Sequence, residues 1–262
     1  MIRKEISSKR YNLIVAVSFV FLFCFYLYLS HNQHIKNPLD TTIPTLHQLY
    51  NGVIKIYNAN WLIIDSKATG YRLFAGLSTG VILSLIVGMG MGVSKSIEAF
   101  FIYPILFFAR IPSTAMMAIY FTLFGTDLNL YIAMIAMGIF PALTMAIFAA
   151  AKTDVPDVGV FKAYTLGASN WEVILEVVLM QILPRIIDNI RLSIGPAMVF
   201  LIAAEWMLAG EGFGYRLRVQ SRFSYMDVVY IYLFVLGVFG VCLDWCLVKL
   251  RLNLCPWFER SE

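Results

Sequence analysis

The chain is long, apolar and mildly basic. It has 262 residues, of which 60% are hydrophobic and 14% charged, whereas soluble domains average about 25% charged residues. This bias excludes an ordinary soluble domain and predicts an integral membrane protein. The net charge of +4 fits the basic loops that membrane proteins keep in the cytoplasm. No cluster of basic and aromatic residues indicates nucleic-acid binding.

Six apolar runs are long enough to cross a bilayer as helices, which takes about 20 residues each. The runs lie at about 12–30, 72–93, 99–123, 128–151, 189–209 and 228–249. They are too long for barrel strands, which need only about 10 residues. We therefore predict an all-α fold, with residues 1–262 forming a single polytopic membrane bundle of about six transmembrane helices.

Basic residues predict the orientation of this bundle. Four of them precede the first run: Arg3, Lys4, Lys9 and Arg10. No small-residue cleavage site follows that run, so we expect a retained anchor with a cytoplasmic N-terminus. Alternating sides then place the C-terminus in the cytoplasm too, with outer segments at 31–71 and 210–227 and inner segments at 94–98 and 152–188. Three arginines at 216–222 oppose this bias.

Small residues and prolines shape the predicted spans. Glycines recur four residues apart in the second run, a spacing that lets helices approach closely in lipid: Gly76, Gly80, Gly88 and Gly92. The stretch from Ser94 to Gly125 is too long for one upright helix. We expect Pro112 to divide it into two pieces with different tilts.

Two charged residues lie at membrane depth, where charge is costly. In a functional role, Arg110 attracts an anionic solute along a translocation path. In a structural role, Arg110 pairs with a carbonyl freed at Pro112 or lies near the inner surface. Glu205 pairs with Arg110 or with a loop arginine, or holds a gate. Asp244, near the inner end of the last run, is expected to be structural.

The long inner segment predicts two short helices around a glycine. Pro156 and Asp157 are a typical helix opening, and Gly167 breaks that helix. Ser169 or Asn170 then caps a second helix with an apolar period from Trp171, which we expect to stop at Leu183-Pro184. Such a projection fits a groove on a soluble partner, and the alternative is a helix lying on lipid.

This segment resembles the EAA loop of the inner-membrane permease subunits of bacterial ABC importers. Ala163, Gly167 and Pro184, with Ile182 or its neighbour Leu183, fall where that pattern places its alanine, glycine and Ile-x-Leu-Pro ending. The run Leu166-Gly-Ala168-Ser169, followed by Trp171, is similar to the nitrate, sulfonate and taurine branch. Further matches lie at 69–80, 109–125 and 203–217. The family's Glu-Ala start is replaced by Phe161-Lys162, which removes an acidic contact from the expectation, and Leu179-Met180 replaces a common first Leu-Pro.

The resemblance implies a permease subunit in a bacterial inner membrane, with a coupling loop at 152–188. Two cytosolic ATPase subunits would grip this loop around Ala163, Gly167, Ala168, Ser169, Trp171, Leu183 and Pro184. A second copy of the permease, or a related one, would complete the path, with Arg110, Pro112 and Glu205 as candidate path residues. An external binding protein would deliver a small solute, anionic or zwitterionic like nitrate, sulfonates and taurine, or else a neutral pyrimidine precursor.

The sequence also bears on chemistry in the chain itself. No GxxxxGK[ST] phosphate loop is present, so we expect no enzyme activity and no bound cofactor, with ATP held by the partner subunit. The four cysteines suggest neither disulfides nor a metal site. A secondary transporter or channel driven by an ion gradient remains an alternative, although few polar residues lie near the span midpoints. A membrane enzyme is a third, although the three histidines all lie at 31–47.

Overall fold

The computed structural model describes residues 7–37 and 41–258, and these residues contain helices but no strand. The predicted all-α class is confirmed. Arg3 and Lys4, which contribute to the predicted orientation, lie outside the described residues.

Eleven α-helices, one 3₁₀ turn and one π-helical stretch follow one another in the described chain. The first six α-helices are α1 (Ser8–Lys36), α2 (Leu46–Asn58), α3 (Trp61–Val93), α4 (Lys95–Phe108), α5 (Met117–Phe124) and α6 (Leu128–Thr153). The remaining five are α7 (Asp157–Thr165), α8 (Asn170–Glu172), α9 (Leu179–Leu208), α10 (Phe213–Arg222) and α11 (Met226–Leu254). The 3₁₀ turn (Ser113–Met116) precedes α5, and the π-helical stretch (Val173–Val178) joins α8 to α9.

Four of the described helices are long and apolar enough to cross a membrane, and the number rises to six when each of two bent helix pairs counts as one span. The four are α1, α3, α6 and α11. The bent pairs are α4 with the 3₁₀ turn and α5, at 84°, and α8–α9 with α10, at 53°. Each of the six predicted apolar runs falls on one of these six units.

The predicted break at Pro112 is present. Helix α4 ends at Phe108, and the chain restarts in a different direction after Pro112, whose φ is −60°. Proline has no N–H to donate and disfavours a helical residue before it, so one straight helix cannot continue through this position.

Two predicted outer segments are more helical than the sequence indicated. Residues 31–71 include α2 and the first 11 residues of α3, and residues 210–227 include α10. The search for apolar runs did not detect α2, because this helix is too short to span a bilayer. In addition, Asp65, Lys67 and Arg72 interrupt the apolar pattern in the early turns of α3.

The described chain divides into two compact units. One joins the residues up to Asn60 with Val219–Leu233, and the other joins Trp61–Arg218 with the residues from Phe234 onward. The prediction of one membrane domain over residues 1–262 remains a prediction.

The core of the second unit is built where α3 and α6 meet at the glycine repeat. A Cβ on Gly76 would lie 2.7 Å from Ile135, and one on Gly80 would lie 2.7 Å from Ile139. A Cβ on Gly92 would overlap Ala151. The predicted close approach is therefore confirmed, and its partner is α6.

Candidate functional site

The glycine turn between α7 and α8 has the geometry that the sequence predicts. Gly167 has φ of +88°, a left-handed conformation that side chains with a Cβ rarely adopt. Its N–H donates to the Tyr164 carbonyl at 3.0 Å, and the Ala168 N–H donates to the Ala163 carbonyl at 3.1 Å. This pair of hydrogen bonds is a Schellman motif, which ends α7 and turns the chain.

A capping box starts the next helix immediately after this turn. The Glu172 N–H donates to Ser169 Oγ at 3.4 Å, and the Ser169 N–H donates to Glu172 Oε2 at 2.6 Å. Of the two predicted caps, the structure uses Ser169. Two helix ends are thus fixed within a few residues, so the turn has a defined shape without support from a partner.

The expected stop at Leu183-Pro184 is wrong. The helix that begins at Asn170 continues through the π-helical stretch and Pro184 to Leu208. Ile182 and Ile186 on either side of Pro184 are buried, and this packing holds the chain helical although the proline removes one hydrogen bond. The second helix of the loop is therefore the beginning of the fifth predicted span, and the glycine turn is joined to that span without a break.

Large apolar side chains flank the turn and are exposed. Leu166 is 88% exposed and Trp171 is 73% exposed, with Phe161 also exposed. In the helix that follows, Val173 and Val178 pack in a buried cluster with Ile147 of α6. The segment is thus anchored to the bundle through Val173 and Val178, while Leu166 and Trp171 present large apolar side chains outside the predicted spans.

A second candidate site, which is polar, lies where α3, α9 and α10 meet, and we call it the Glu205 cluster. It comprises Asp65, Thr69, Arg72, Glu205 and Arg216 with the backbone of Gly212–Gly214. Glu205 is fully buried, and it accepts hydrogen bonds from Arg72 Nη1 at 2.9 Å, from Thr69 Oγ1 at 2.9 Å and from the Gly214 N–H at 2.9 Å.

Asp65 completes this cluster from the first turns of α3. Its side chain is fully buried, and it accepts hydrogen bonds from Arg216 Nε at 2.8 Å and from the Gly212 N–H at 2.9 Å. Gly212 has φ of +111°, and a Cβ there would lie 2.5 Å from Glu205 Oε1. Two buried carboxylates and two arginines thus fasten the start of α10 to α3 and α9.

The candidate path residues are not brought together in one group. Glu205 pairs with Arg72, the first residue of the second predicted run, and not with Arg110. Arg110 is exposed, and its side chain forms no hydrogen bond or ion pair with another described residue. Pro112 lies at the break after α4. Whether these three residues line a path remains a prediction.

The sequence analysis did not identify Asp65, Thr69 and Arg72 as residues of one site. Their spacing of four and three residues places them on one face of a helix, and they fall at the edge of an apolar run. This was the available signal, because polar side chains that share a face in such a place need partners.

Asp244 is paired as a structural residue would be. It accepts hydrogen bonds from Arg191 Nε at 2.9 Å and from Arg191 Nη2 at 3.0 Å, which ties α11 to α9. The described residues include no group of three or more His, Cys, Asp or Glu side chains that could hold a metal ion.

Comparisons with known proteins match most of the chain. The family model of the binding-protein-dependent transport system inner membrane component matches residues 80–250. The taurine transport system permease protein of Escherichia coli is 28% identical over 186 residues, covering 71% of this chain and 67% of that protein.

Two further relatives are named for other solutes. The putative aliphatic sulfonates transport permease protein of Bacillus subtilis is 28% identical, over 73% of this chain and 69% of its own length. The formylaminopyrimidine transport permease protein of Halalkalibacterium halodurans is 25% identical, over 71% of this chain and 74% of its own length.

Proposed function

Because this chain belongs to the family of inner membrane components of binding-protein-dependent transport systems, we propose that it is the permease subunit of an ATP-driven importer coupled through the turn at Gly167. Two cytosolic ATPase subunits dock on the segment 152–188. These subunits bind and hydrolyse ATP, and this chain holds no cofactor. A second copy of the permease, or a related permease, completes the translocation path. Both termini face the cytoplasm.

The observation that carries this proposal is the exposure of the large apolar side chains that flank the turn. Leu166 and Trp171 are more than 70% exposed, although they flank a turn whose backbone is fixed by a Schellman motif and a capping box. Exposed large apolar residues on a rigid projection are typical of a surface that a partner covers. The helix from Asn170 to Leu208 then offers a direct mechanical connection from the docked partner to the bundle.

The solute is proposed to be small and anionic or zwitterionic. Two relatives are named for taurine and for aliphatic sulfonates, which carry a negatively charged sulfonate. The exposed side chain of Arg110 offers a positive charge for such a group. A neutral pyrimidine precursor is the alternative substrate, supported by the formylaminopyrimidine permease. An external binding protein delivers the solute.

Substitutions at the turn test the coupling proposal. Gly167→Val forces a β-branched residue into a left-handed conformation. Leu166→Asp replaces an apolar side chain that is 88% exposed with a charged one, without removing buried contacts. We expect both variants to lose co-purification of the ATPase subunit while the permease still inserts and keeps its gel-filtration profile.

Gly159→Ala is the matched control. Gly159 lies in α7, and a Cβ there would be 3.7 Å from the nearest side-chain atom, which is ordinary contact. This variant should retain the ATPase. Retention of the ATPase by Leu166→Asp at the wild-type level would refute docking through the exposed apolar residues of the turn.

A further inference from the structure

Helix α2 is divided into three faces of different chemistry. At 100° per residue, five exposed residues share one sector, and all are apolar or tyrosine: Leu46, Tyr50, Val53, Ile54 and Tyr57. A second exposed sector is polar and consists of His47, Asn51, Lys55 and Asn58. The third sector is packed against the protein and consists of Leu49, Gly52 and Ile56. Each sector covers roughly a third of the helix circumference.

The packed sector is held closely within its own compact unit. A Cβ on Gly52 would lie 2.8 Å from the Ile231 side chain in α11. Lys55 Nζ donates to Asp227 Oδ2 at 2.8 Å, in the first turn of α11. The Thr45 capping box fixes the start of the helix. The rotation of α2 about its axis is therefore set by the protein, and so is the direction of the exposed apolar sector.

Helix α2 begins close to the C-terminal part of α1, an exposed apolar helix. Tyr26 and Ser30, both in α1, donate hydrogen bonds to the Pro44 carbonyl just before α2. Helix α1 is apolar enough to span a membrane and is almost entirely exposed along its length, as expected of a helix that faces lipid. The apolar sector of α2 thus lies near the end of an exposed apolar helix.

We propose that α2 lies in the interfacial zone of the bilayer, with its apolar sector in lipid and its polar sector in water. An interfacial helix needs an apolar face, a polar face and aromatic residues at headgroup depth, and α2 supplies Tyr50 and Tyr57, which are 64% and 79% exposed. Its third face packs on the protein, so α2 sets the depth of the first turn of α11 through Lys55 and Asp227. This proposal does not depend on the transported solute or on the ATPase.

Spin labels on the two exposed sectors distinguish lipid from other occupants. The permease, in a background without its native cysteines, is labelled at Val53→Cys or Tyr57→Cys in the apolar sector. Asn51→Cys and Asn58→Cys in the polar sector are the matched controls. All four positions are exposed, so the changes remove no core packing, and a wild-type gel-filtration profile verifies the fold of each variant. The protein is reconstituted in vesicles of phosphatidylethanolamine and phosphatidylglycerol.

The measured quantity is the collision rate of each label with oxygen, which concentrates in lipid, relative to a neutral nickel chelate, which stays in water. We expect this ratio to be several-fold higher at positions 53 and 57 than at 51 and 58. High nickel accessibility at 53 and 57 would overturn the proposal and indicate a surface left in water for a soluble partner. Low accessibility to both reagents, with dipolar broadening between labels, would overturn it in favour of a second copy of this chain.

Discussion

At the scale of single residues, the Glu205 cluster places charged side chains in the protein interior, where an unpaired charge is costly. Glu205 and Arg72 form a buried ion pair at 2.9 Å, and the Arg72 guanidinium also lies 4.4 Å from the centre of the Tyr131 ring. Removing one partner from such a pair leaves an uncompensated charge and typically costs about 3–5 kcal/mol. We expect Glu205→Gln to lower the free energy of unfolding by a large part of this amount, as measured by SDS titration in mixed micelles.

The control for this prediction lies close by in sequence. Glu211 has an exposed side chain and contributes only its backbone carbonyl to Arg72, so Glu211→Gln should change stability by less than about 0.5 kcal/mol. The double variant Arg72→Gln/Glu205→Gln should lose less than the sum of the two single variants, because neither side chain is left charged. Strict additivity would show that the pair is not coupled.

At the scale of elements, the contact between α3 and α6 depends on glycines whose neighbours leave no space. A Cβ on Gly76 would lie 2.7 Å from the Ile135 side chain, whereas one on Gly70 in the same helix would have nothing within 4 Å. We expect Gly76→Ala to destabilise the permease by about 1–3 kcal/mol, because overpacking moves the helices apart. Gly70→Ala should be neutral or stabilising by up to about 1 kcal/mol, because alanine favours a helix. The same SDS titration measures both, and equal effects of the two variants would contradict the tight contact.

Two prolines show how far elements could be predicted from the sequence. Both Pro112 and Pro184 indicate an end of a helix, and only Pro112 has one. The difference is tertiary, because buried neighbours hold the chain helical around Pro184 while α4 ends in exposed residues. The spans, the glycine turn at Gly167 and the cap at Ser169 follow local rules and were predictable. The side-chain partners of Glu205 were not predictable, because they are 133 and 136 residues away in the sequence.

At the scale of the whole molecule, membership of the transport family and the bundle of membrane helices define a permease. The turn at Gly167 and the Glu205 cluster lie near opposite ends of one long helix, since Asn170 and Leu208 bound it. A helix of this length covers more than the thickness of a bilayer core. Under the proposed coupling, closure of an ATPase on the turn would act on one end of a helix long enough to reach the other membrane face.

Solute uptake by proteoliposomes tests the proposed function most directly. The permease is reconstituted alone, and also together with its cognate ATPase and solute-binding protein, with a radiolabelled sulfonate or taurine outside. We expect ATP-dependent uptake only in the complete system, and its loss with Leu166→Asp but not with Gly159→Ala. The proposal would be contradicted if the permease alone takes up solute in response to an ion gradient and without dependence on ATP. That result would establish a secondary transporter.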